Sequence, residues 1–389
     1  MSPRVAVIVL DGVGCGAAAD AAAYGDVGSN TLGHVLEQVP TLSLPAMERL
    51  GLGHVGQLHG VEALPGHTGA VTVLEPMSAG KDSTTGHWEL AGVVLEHPFP
   101  TYPTGFPPEL LARFATATGR GVIGNCAASG TAILDQLGAD HVRTGAWIVY
   151  TSADSVFQVA AHESVVPVDE LYRACLIARD LLVAPHNVSR VIARPFIGED
   201  GAWQRTPNRR DYSVAPVSET LLDALADAGI DRAGIGKVDD LFASRSITST
   251  HTTDNAEGIA LIREWLHTAD RGFLLANLVD FDQQFGHRND VNGFAGALAE
   301  FDAALPDLLD ALRGDDLLFI TADHGNDPTT SSTDHARERV PLLIAGPNVT
   351  PRVLPMRQTF ADLGATVAAS FGIAWRGQGT SFLELVRAS

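Results

Sequence analysis

Short apolar runs without polar alternation recur along the chain, and stretches with apolar residues three or four positions apart lie between them. Such a run is typical of a strand covered on both faces, as in a parallel sheet. The spacing of three or four is typical of amphipathic helices. The predicted strands cover residues 5–10, 146–150, 190–193, 273–279, 317–321 and 341–345. Strands that alternate with helices predict an α/β fold.

The helical stretches include one with both end signals. Residues 219–228 begin beside Ser218, a good N-cap, and end at Gly229, which suits the position after a helix. Residues 256–269 and 293–313 have a similar apolar spacing. We expect helices over all three stretches.

Two proline-rich passages, residues 97–108 and 205–216, interrupt the α/β pattern. Passages of this composition are typical of chain crossings between domains. We therefore expect a core domain made of residues 1–96 and 217–389, with a smaller α/β cap domain inserted at 97–216. The alternative is one large domain in which both passages are long surface loops.

The composition is that of a globular protein with a strong acidic excess. The 389 residues, of which 45% are hydrophobic, are enough for two or three domains with buried cores. The formal net charge is −20, which repels the phosphates of nucleic acids and anionic lipid surfaces. We expect no nucleic-acid partner and no membrane partner.

The cysteines and the N-terminus indicate the compartment. Cys15, Cys126 and Cys175 form no CxxC pair, which is typical of a reducing environment. The apolar run at 5–10 stops at Asp11, so it is too short for a signal-peptide core or a membrane span. We expect a soluble cytoplasmic protein.

Acidic residues follow three of the predicted strands. Asp11 follows the first, Asp280 and Asp282 follow the strand at 273–279, and Asp323-His324 follows the strand at 317–321. One such aspartate is usually a cap or turn residue. In an open α/β sheet, however, the site lies beyond the carboxyl ends of the strands, so three acidic ends predict a shared site.

Histidines accompany these carboxylates. Asp282 and His287 lie on one loop, and Asp323-His324 is followed by His335. Carboxylates mixed with imidazoles suit Zn²⁺ or Mn²⁺, and the number of donors exceeds the need of one catalytic ion. We therefore predict two metals, as in sites for phosphoryl displacement. Their positive charge explains how an acidic chain binds a phosphorylated anion. His287, taken alone, is more simply interpreted as a surface loop histidine, and the neighbouring donors favour the metal instead.

The segment GKDSTTGHWE at 80–89 is rich in hydroxyls, and a helix N-terminus is predicted to follow them at 86–89. A hydroxyl held by metals is a feasible nucleophile, and the helix N-terminus offers N–H groups to phosphoryl oxygens. Spacing alone does not choose among Ser83, Thr84 and Thr85. The alternative is a polar turn with a capping threonine.

The predicted cap carries groups suited to a sugar phosphate. Arg194, Arg205 and Arg209 could grip a phosphate, and Asp154 could accept hydrogen bonds from sugar hydroxyls. Each is, individually, more often a solvated charge. A cap that covers the metals would also exclude water, which a transferase needs and a phosphatase does not.

These segments together resemble the phosphopentomutase family of the alkaline phosphatase superfamily, and the likeness runs over nearly the whole chain. The TADHGND run is shared in part with cofactor-independent phosphoglycerate mutase, whereas GKD…TGHWE and RTPNR are more specific. The motifs are VLDGVG at 9–14, GKDSTTGHWE at 80–89, TSADS at 151–155, RTPNR at 205–209, NLVDFD at 277–282 and TADHGND at 321–327.

The resemblance implies an alkaline-phosphatase-like sheet core with helices on both faces, an inserted cap, and two metals, usually Mn²⁺. It implies that Thr85 carries the phosphoryl group and that Asp280 is a neighbour of the metals, not a ligand. The implied ligands are Asp11, Asp323 and His324 for one metal, and Asp282, His287 and His335 for the other. The implied pentose-phosphate contacts are Ser152, Asp154, Arg194 and Arg209 in the cap and Lys237 in the core.

The reaction so implied interconverts α-D-ribose 1-phosphate and D-ribose 5-phosphate, and the 2-deoxyribose pair, through a 1,5-bisphosphate. A sugar bisphosphate would prime the enzyme, and the place in metabolism would be nucleoside salvage. The chain departs from the family where Cys126-Ala127 replaces a usual Lys-Pro, and at 288–290, where a second arginine is common. The alternatives are a mutase for another pentose, a metal-dependent phosphatase, and a non-catalytic sugar-phosphate binder.

Overall fold

The computed structural model describes residues 3–56, 58–152 and 154–387. The chain divides into two compact units, which are described separately. One unit comprises Met1–His97 and Pro216–Ser389, and the other comprises Pro98–Ala215. In the described part of the chain, no helix is both long and apolar enough to span a bilayer.

Strands and helices alternate through both units. The strands of the described residues are β1 Arg4–Leu10, β2 Ala70–Leu74, β3 Val122–Ala127, β4 Trp147–Thr151, β5 Val156–His162, β6 Arg190–Ile197, β7 Gln204–Arg205, β8 Arg210–Ser213, β9 Arg232–Ile235, β10 Ser249–Thr250, β11 Gly272–Leu278, β12 Leu317–Thr321, β13 Val340–Ala345 and β14 Arg352–Val353. The α-helices are α1 Ala21–Tyr24, α2 Thr31–Gln38, α3 Pro45–Leu50, α4 Ser83–Leu90, α5 Pro108–Thr118, α6 Ala132–Thr144, α7 Val168–Leu181, α8 Leu221–Asp227, α9 Val238–Leu241, α10 Asn255–Thr268, α11 Val291–Asp310, α12 Ala361–Ser370 and α13 Leu383–Val386. A π-helical turn covers Phe281–Phe285, and 3₁₀ turns cover Leu52–His54 and Gly286–Arg288.

The sheet of the larger unit has the order β10-β9-β11-β1-β12-β13-β2-β14. Strands β11, β1 and β12 are mutually parallel and buried at every residue, so both faces are covered. Their carboxyl ends therefore lie side by side at one edge of the sheet. This edge receives the acidic residues that follow the three strands.

All six predicted strands are present, but two of them, β13 and β4, depart from a purely parallel arrangement. β13, predicted as residues 341–345 of a parallel sheet, pairs antiparallel with both β12 and β2. β4 is likewise antiparallel to β5, although it is parallel to β3. The physical reason is that a strand buried on both faces is apolar throughout, whichever direction it runs.

The predicted helices are present with shifted starts. The prediction that Ser218 caps the helix at 219–228 is wrong, because Thr220 is the N-cap of α8. Thr220 and Asp223 form a capping box, in which each side chain bonds to the other's backbone N–H. This reciprocal pair satisfies two N–H groups, which a serine two residues earlier cannot do. The other two predicted helices correspond to α10 and α11.

The smaller unit has its own mixed sheet, in the order β3-β4-β5-β6-β7, with β8 paired to β6. One face packs on α5 and α7 through an apolar cluster that includes Phe114, Phe157 and Val191. The other face packs on α6 through a smaller cluster that includes Ile133 and Tyr150. Because side chains alternate along a strand, neighbouring residues of β5 and β6 belong to opposite faces.

Candidate active site

Three buried carboxylates meet at the edge formed by β11, β1 and β12. Asp11 follows β1, Asp282 lies in the π-helical turn after β11, and Asp323 follows β12; each is at most 5% exposed. Burial raises the pKa of Asp11, and repulsion from Asp323 and Asp282 adds to the shift. A cluster of buried like charges is stable only with compensating positive charge.

Asp11, Asp323 and His324 form the first group. His324 Nε2 lies 3.3 Å from Asp11 Oδ1 and 3.4 Å from Asp323 Oδ2. Both of these carboxylate oxygens are buried; Asp11 Oδ1 accepts no hydrogen bond from the described residues, and the contact of Asp323 Oδ2 with His87 Nδ1, at 3.1 Å, is an ion pair. The Nδ1 of His324 is 3.0 Å from the carbonyl oxygen of Gly325, to which it can donate, so Nε2 is the ring nitrogen that can bind a cation. These oxygens and this nitrogen fit one divalent ion.

Asp282, His287 and His335 form the second group. The two carboxylate oxygens of Asp282 lie 3.1 Å from His287 Nε2 and 3.4 Å from His335 Nε2. Burial would raise the pKa of Asp282, but the facing His335 and His287 outweigh it and hold that pKa well below its usual range. His287 Nδ1 is 2.7 Å from the carbonyl oxygen of Thr333, which leaves Nε2 for a cation. This group therefore fits a second ion.

The two groups adjoin through Asp282. Its carboxylate can share an ion site with His287 and His335, or with Asp11 and His324, because the donor atoms of each set lie within 4.8 Å of one another. Asp280 and Asp323 lie outside both sets; the Asp280 carboxylate accepts a bond from the N–H of Asn255, whereas Asp323 Oδ2 lies 3.4 Å from His324 Nε2.

The π-helical turn brings Asp282 and His287 to the same site. Its hydrogen bonds span five residues, which is the separation between these two side chains. Gly286 is required beside it, because a Cβ there would lie 2.5 Å from Asn326 Cγ. The sequence pattern predicted a loop here and did not indicate this turn.

Two asparagines that were not predicted hold the carboxylates. Asn277 Nδ2 donates to Asp11 Oδ2 at 2.8 Å, and Asn326 Nδ2 donates to Asp282 Oδ1 at 2.7 Å. Each carboxylate thus has one oxygen tied by an amide. The available signal for Asn277 was a polar residue inside the apolar run of β11.

Helix α4 brings its hydroxyls to the first group. Ser83 Oγ lies 3.0 Å from His324 Nε2. Thr85 lines a small cavity together with Asp323 and His324, but its Oγ1 donates to Asp82 Oδ2 at 2.6 Å. Asp82, which was not predicted, also accepts from the N–H of Thr85 and is the N-cap of α4. Of the hydroxyls left open by spacing, Ser83 therefore contacts a predicted metal ligand directly.

Helix α4 also packs closely against Asp323. His87 Nδ1 is 2.9 Å from the carbonyl oxygen of Ser83 and 3.1 Å from Asp323 Oδ2, so this imidazole links the two segments. A Cβ at Gly86 would lie 2.1 Å from the carbonyl oxygen of Asp323, so only glycine allows this approach.

The smaller unit contains a separate polar pocket with a volume of about 190 Å³. It brings together four predicted residues, Ser152, Asp154, Arg194 and Arg209. Its lining also includes residues that were not predicted as contacts, namely Ser129, Gln158 and Arg190. The fifth predicted contact, Lys237, belongs to the larger unit, where its Nζ donates to Gln283 beside Asp282.

Glu338, just before β13, is a buried carboxylate that braces the loop after β1. It accepts hydrogen bonds from the N–H of Gly16 and from the N–H and Oγ1 of Thr31. Burial raises its pKa to about 7. A glutamate in the unfolded chain titrates near pH 4.3, so the unfolded chain loses this proton at a lower pH than the folded protein does. The free energy of unfolding therefore falls as pH rises from about 4.3 to about 7.

We expect Glu338→Gln to remove this pH dependence, because the amide can accept from the same N–H groups and carries no titrating proton. Between about pH 4.3 and 7, the variant should gain roughly 3 kcal/mol in free energy of unfolding relative to the wild type. Urea unfolding across this range measures the difference. Glu37→Gln, at an exposed position on α2, is the control. Parallel curves for wild type and Glu338→Gln would contradict the prediction.

Comparison with known proteins identifies relatives of this chain. The family model described as the Metalloenzyme superfamily matches residues 3–374. The chain is 53% identical to the phosphopentomutase of Caldanaerobacter subterraneus subsp. tengcongensis over 386 residues, which cover 99% of this chain and 98% of that protein. It is 52% identical to the phosphopentomutase of Acetivibrio thermocellus over 382 residues, which cover 98% of each.

Among solved structures, the chain is similar to a phosphoglycerate mutase of Leishmania mexicana. The TM-score is 0.53 at 12% identity, and the superposition covers 100% of this chain and 98% of that one. At this identity the likeness concerns the fold alone. Together with the superfamily match, it confirms the expected fold class, an alkaline-phosphatase-like α/β sheet core.

Proposed function

This chain belongs to the phosphopentomutase family of the metalloenzyme superfamily and is a mutase, and on that premise we propose that it interconverts α-D-ribose 1-phosphate and D-ribose 5-phosphate. The 2-deoxyribose pair is included in the proposal. The observation that carries it is the full-length identity of about half with phosphopentomutases. We place the reaction in nucleoside salvage in the cytoplasm, with a sugar bisphosphate for priming.

The residues fit two divalent ions, for which we propose Mn²⁺. Asp11, Asp323 and His324 would hold one ion, because two of their oxygens are buried beside His324 Nε2. The second group, defined above, would hold the other. A mixed carboxylate and imidazole donor set suits Mn²⁺ or Zn²⁺. When bound, such ions polarise phosphoryl oxygens and lower the pKa of a nearby hydroxyl.

The proposed reaction passes through a phosphorylated hydroxyl of the enzyme and a sugar 1,5-bisphosphate. We propose Thr85 as this hydroxyl, as the family resemblance implies, because it lines the small cavity beside Asp323 and His324. Its Oγ1 donates to Asp82 Oδ2 at 2.6 Å, and this carboxylate can accept the proton of the hydroxyl. Ser83 is the second candidate, since its Oγ lies 3.0 Å from His324 Nε2.

The first turn of α4 supplies further binding groups. The N–H of Thr85 is bonded to the Asp82 side chain, and the N–H of Gly86 is bonded to the Asp82 carbonyl. The N–H groups of Ser83 and Thr84 have no partner among the described residues, so they can donate to phosphoryl oxygens. They would stabilise charge that develops on the group in transfer.

The pocket of the smaller unit suits the part of the substrate that does not react. Arg194 and Arg209 would grip its phosphate, while Ser152 and Asp154 would bind sugar hydroxyls. Lys237 would contribute from the larger unit. Holding a pentose phosphate in one orientation lowers the entropic cost of transfer, and excluding water prevents hydrolysis.

A second candidate is a mutase for another pentose phosphate. Residues 128–130 line the pocket and directly follow Cys126-Ala127, where the family resemblance leads one to expect Lys-Pro. Loss of a cation beside the sugar would change which pentose fits.

Turnover separates the proposals. The purified protein, primed with ribose 1,5-bisphosphate in Mn²⁺, should convert ribose 1-phosphate to ribose 5-phosphate without releasing phosphate. Release of inorganic phosphate from ribose 5-phosphate would support a phosphatase instead. If neither ribose nor deoxyribose phosphates turn over while arabinose or xylose phosphates do, the second candidate is correct. No turnover of any pentose phosphate would reject the mutase proposal.

A further inference from the structure

Gln158 is a buried polar residue in an apolar strand. It lies in the middle of β5, whose residues are all buried, and is 4% exposed. Its strand neighbours in register are Tyr150 on β4 and Ile192 on β6. Burying an amide is costly unless it is hydrogen-bonded, so the side chain of Gln158 needs a hydrogen-bond partner.

The partner is Arg194. Its Nε donates to Gln158 Oε1 at 3.0 Å, and both side chains line the pocket of the smaller unit. Side chains alternate between the two faces of the sheet along β6, so Arg194 and Ile192 lie on the same face as Gln158. The side chains of Arg194 and Gln158 can therefore contact each other. The terminal nitrogens of Arg194 have no hydrogen-bond or ion-pair partner among the described residues.

The other arginines of the pocket differ in this respect. Arg190 and Arg209 both form ion pairs with Asp211, with N···O separations of 3.5 Å and 2.7 Å. Arg194 has no carboxylate partner in the described part of the chain. It is therefore the cation of this pocket whose charge is left for a ligand.

We propose that Gln158 is a positioning residue that holds Arg194 so that its two terminal amino groups face a phosphate in the pocket. With Nε occupied, the free edge of the guanidinium is the fork of Nη1 and Nη2, which matches two phosphate oxygens. Fixing this fork before binding reduces the side-chain entropy lost when the phosphate arrives. The identity of the phosphate compound rests on the proposed function.

The neutral amide is part of the inference. A glutamate at 158 could accept from Arg194 Nε equally well, but it would neutralise the guanidinium as Asp211 does for its partners. The hydrogen bond orients Arg194, and the absence of negative charge leaves its attraction for an anion intact. The two effects can be separated by substitution.

Two variants and a control make the test. Gln158→Leu removes the acceptor at similar volume, and Gln158→Glu keeps the acceptor but adds a charge. The control is Thr118→Val, which removes hydrogen bonds to Trp147 and Phe114 within the same unit. Thr118 does not line the pocket, and its partners belong to the apolar cluster on the other face. Ribose 5-phosphate and inorganic phosphate are titrated by calorimetry, and KM and kcat are measured where turnover occurs.

We expect Gln158→Leu to raise Kd and KM about tenfold, because a charge-assisted hydrogen bond is lost, with kcat within about twofold of wild type. Gln158→Glu should weaken binding further, to about a hundredfold, and Thr118→Val should bind like wild type. If Gln158→Leu binds both probes as wild type does, or if Thr118→Val loses as much, the inference is overturned. Loss in kcat alone would also overturn it.

The binding and turnover measurements separate this inference from the proposed function. If the wild type binds ribose 5-phosphate without turning it over, the mutase proposal fails while the binding comparison still decides the role of Gln158. If the wild type binds neither probe, both proposals are rejected. Turnover with equal binding by all variants retains the mutase and rejects the positioning role.

Discussion

Replacing Thr85 by valine is expected to abolish phosphoryl transfer, lowering kcat by at least about 10³-fold, because the hydroxyl that would carry the phosphoryl group is removed at similar side-chain volume. Loss of its bond to Asp82, the N-cap of α4, should cost about 1 kcal/mol of stability and leave the fold intact. Metal content should be unchanged, because all six predicted ligand side chains are retained. Turnover, thermal unfolding and metal analysis of the purified variant measure these effects.

The matched control is Ser83→Ala, which removes the hydroxyl that lies 3.0 Å from His324 Nε2. Its turnover should fall by less than about tenfold. The opposite result, an inactive Ser83→Ala beside an active Thr85→Val, would identify Ser83 as the carrier. Mass spectrometry of the peptide spanning 80–89, after priming with bisphosphate, locates the phosphoryl group directly.

Asp282→Ala is expected to remove one of the two bound ions and to lower turnover by at least about 10²-fold. The reason is that both oxygens of Asp282 are engaged, one facing His287 Nε2 and the other facing His335 Nε2. Without this carboxylate, only two imidazoles remain, and a hard divalent cation binds them weakly. Metal analysis after dialysis gives the number of ions per chain.

Asp334→Asn is the control for this loss. Asp334 adjoins His335 in sequence but is 53% exposed, and its nearest contact with that imidazole is 3.9 Å. Its substitution should leave both ions in place. Retention of two ions by Asp282→Ala would show that this aspartate is not a ligand, whereas loss of both would show that the two sites are occupied only together.

The fold class and the acidic edge of the sheet could be predicted from sequence because both depend on local patterns. A strand buried on both faces is apolar in every residue, and β1, β11 and β12 show this over their whole length. The aspartates that follow them in the chain must then lie beyond the ends of those strands. Five of the predicted donors, Asp11, Asp282, His287, His324 and His335, accordingly lie in two sets that share Asp282, and Asp323 Oδ2 lies 3.4 Å from His324 Nε2.

Strand direction and helix capping were not available from the same patterns. The run that forms β13 is as apolar as that of β12, so its composition carries no information about direction. The start of α8 was misplaced because Ser218 and Thr220 are both good caps, and only the reciprocal bond with Asp223 selects Thr220. When two residues are equally suitable as the N-cap, the residue that bonds to one of them decides which is used.

Which hydroxyl faces the metal groups is a second choice of this kind. Ser83, Thr84 and Thr85 are adjacent and chemically similar, so spacing could not separate them. The structure turns Ser83 toward His324 and Thr85 toward Asp82, because successive residues of a helix point in different directions. Gln158 is comparable, since its polarity was visible in β5 but its partner Arg194 lies on the neighbouring strand.

By itself, the sequence determined that this is an α/β protein with acidic strand ends and an acidic and imidazole donor set, since residue type and order along the chain carry that information. Only the tertiary structure decided which donor faces which, because hydrogen bonds such as that between Asn277 and Asp11 join residues far apart in the chain. Their geometry follows from the register of neighbouring strands, and register is settled by the packing of the whole sheet.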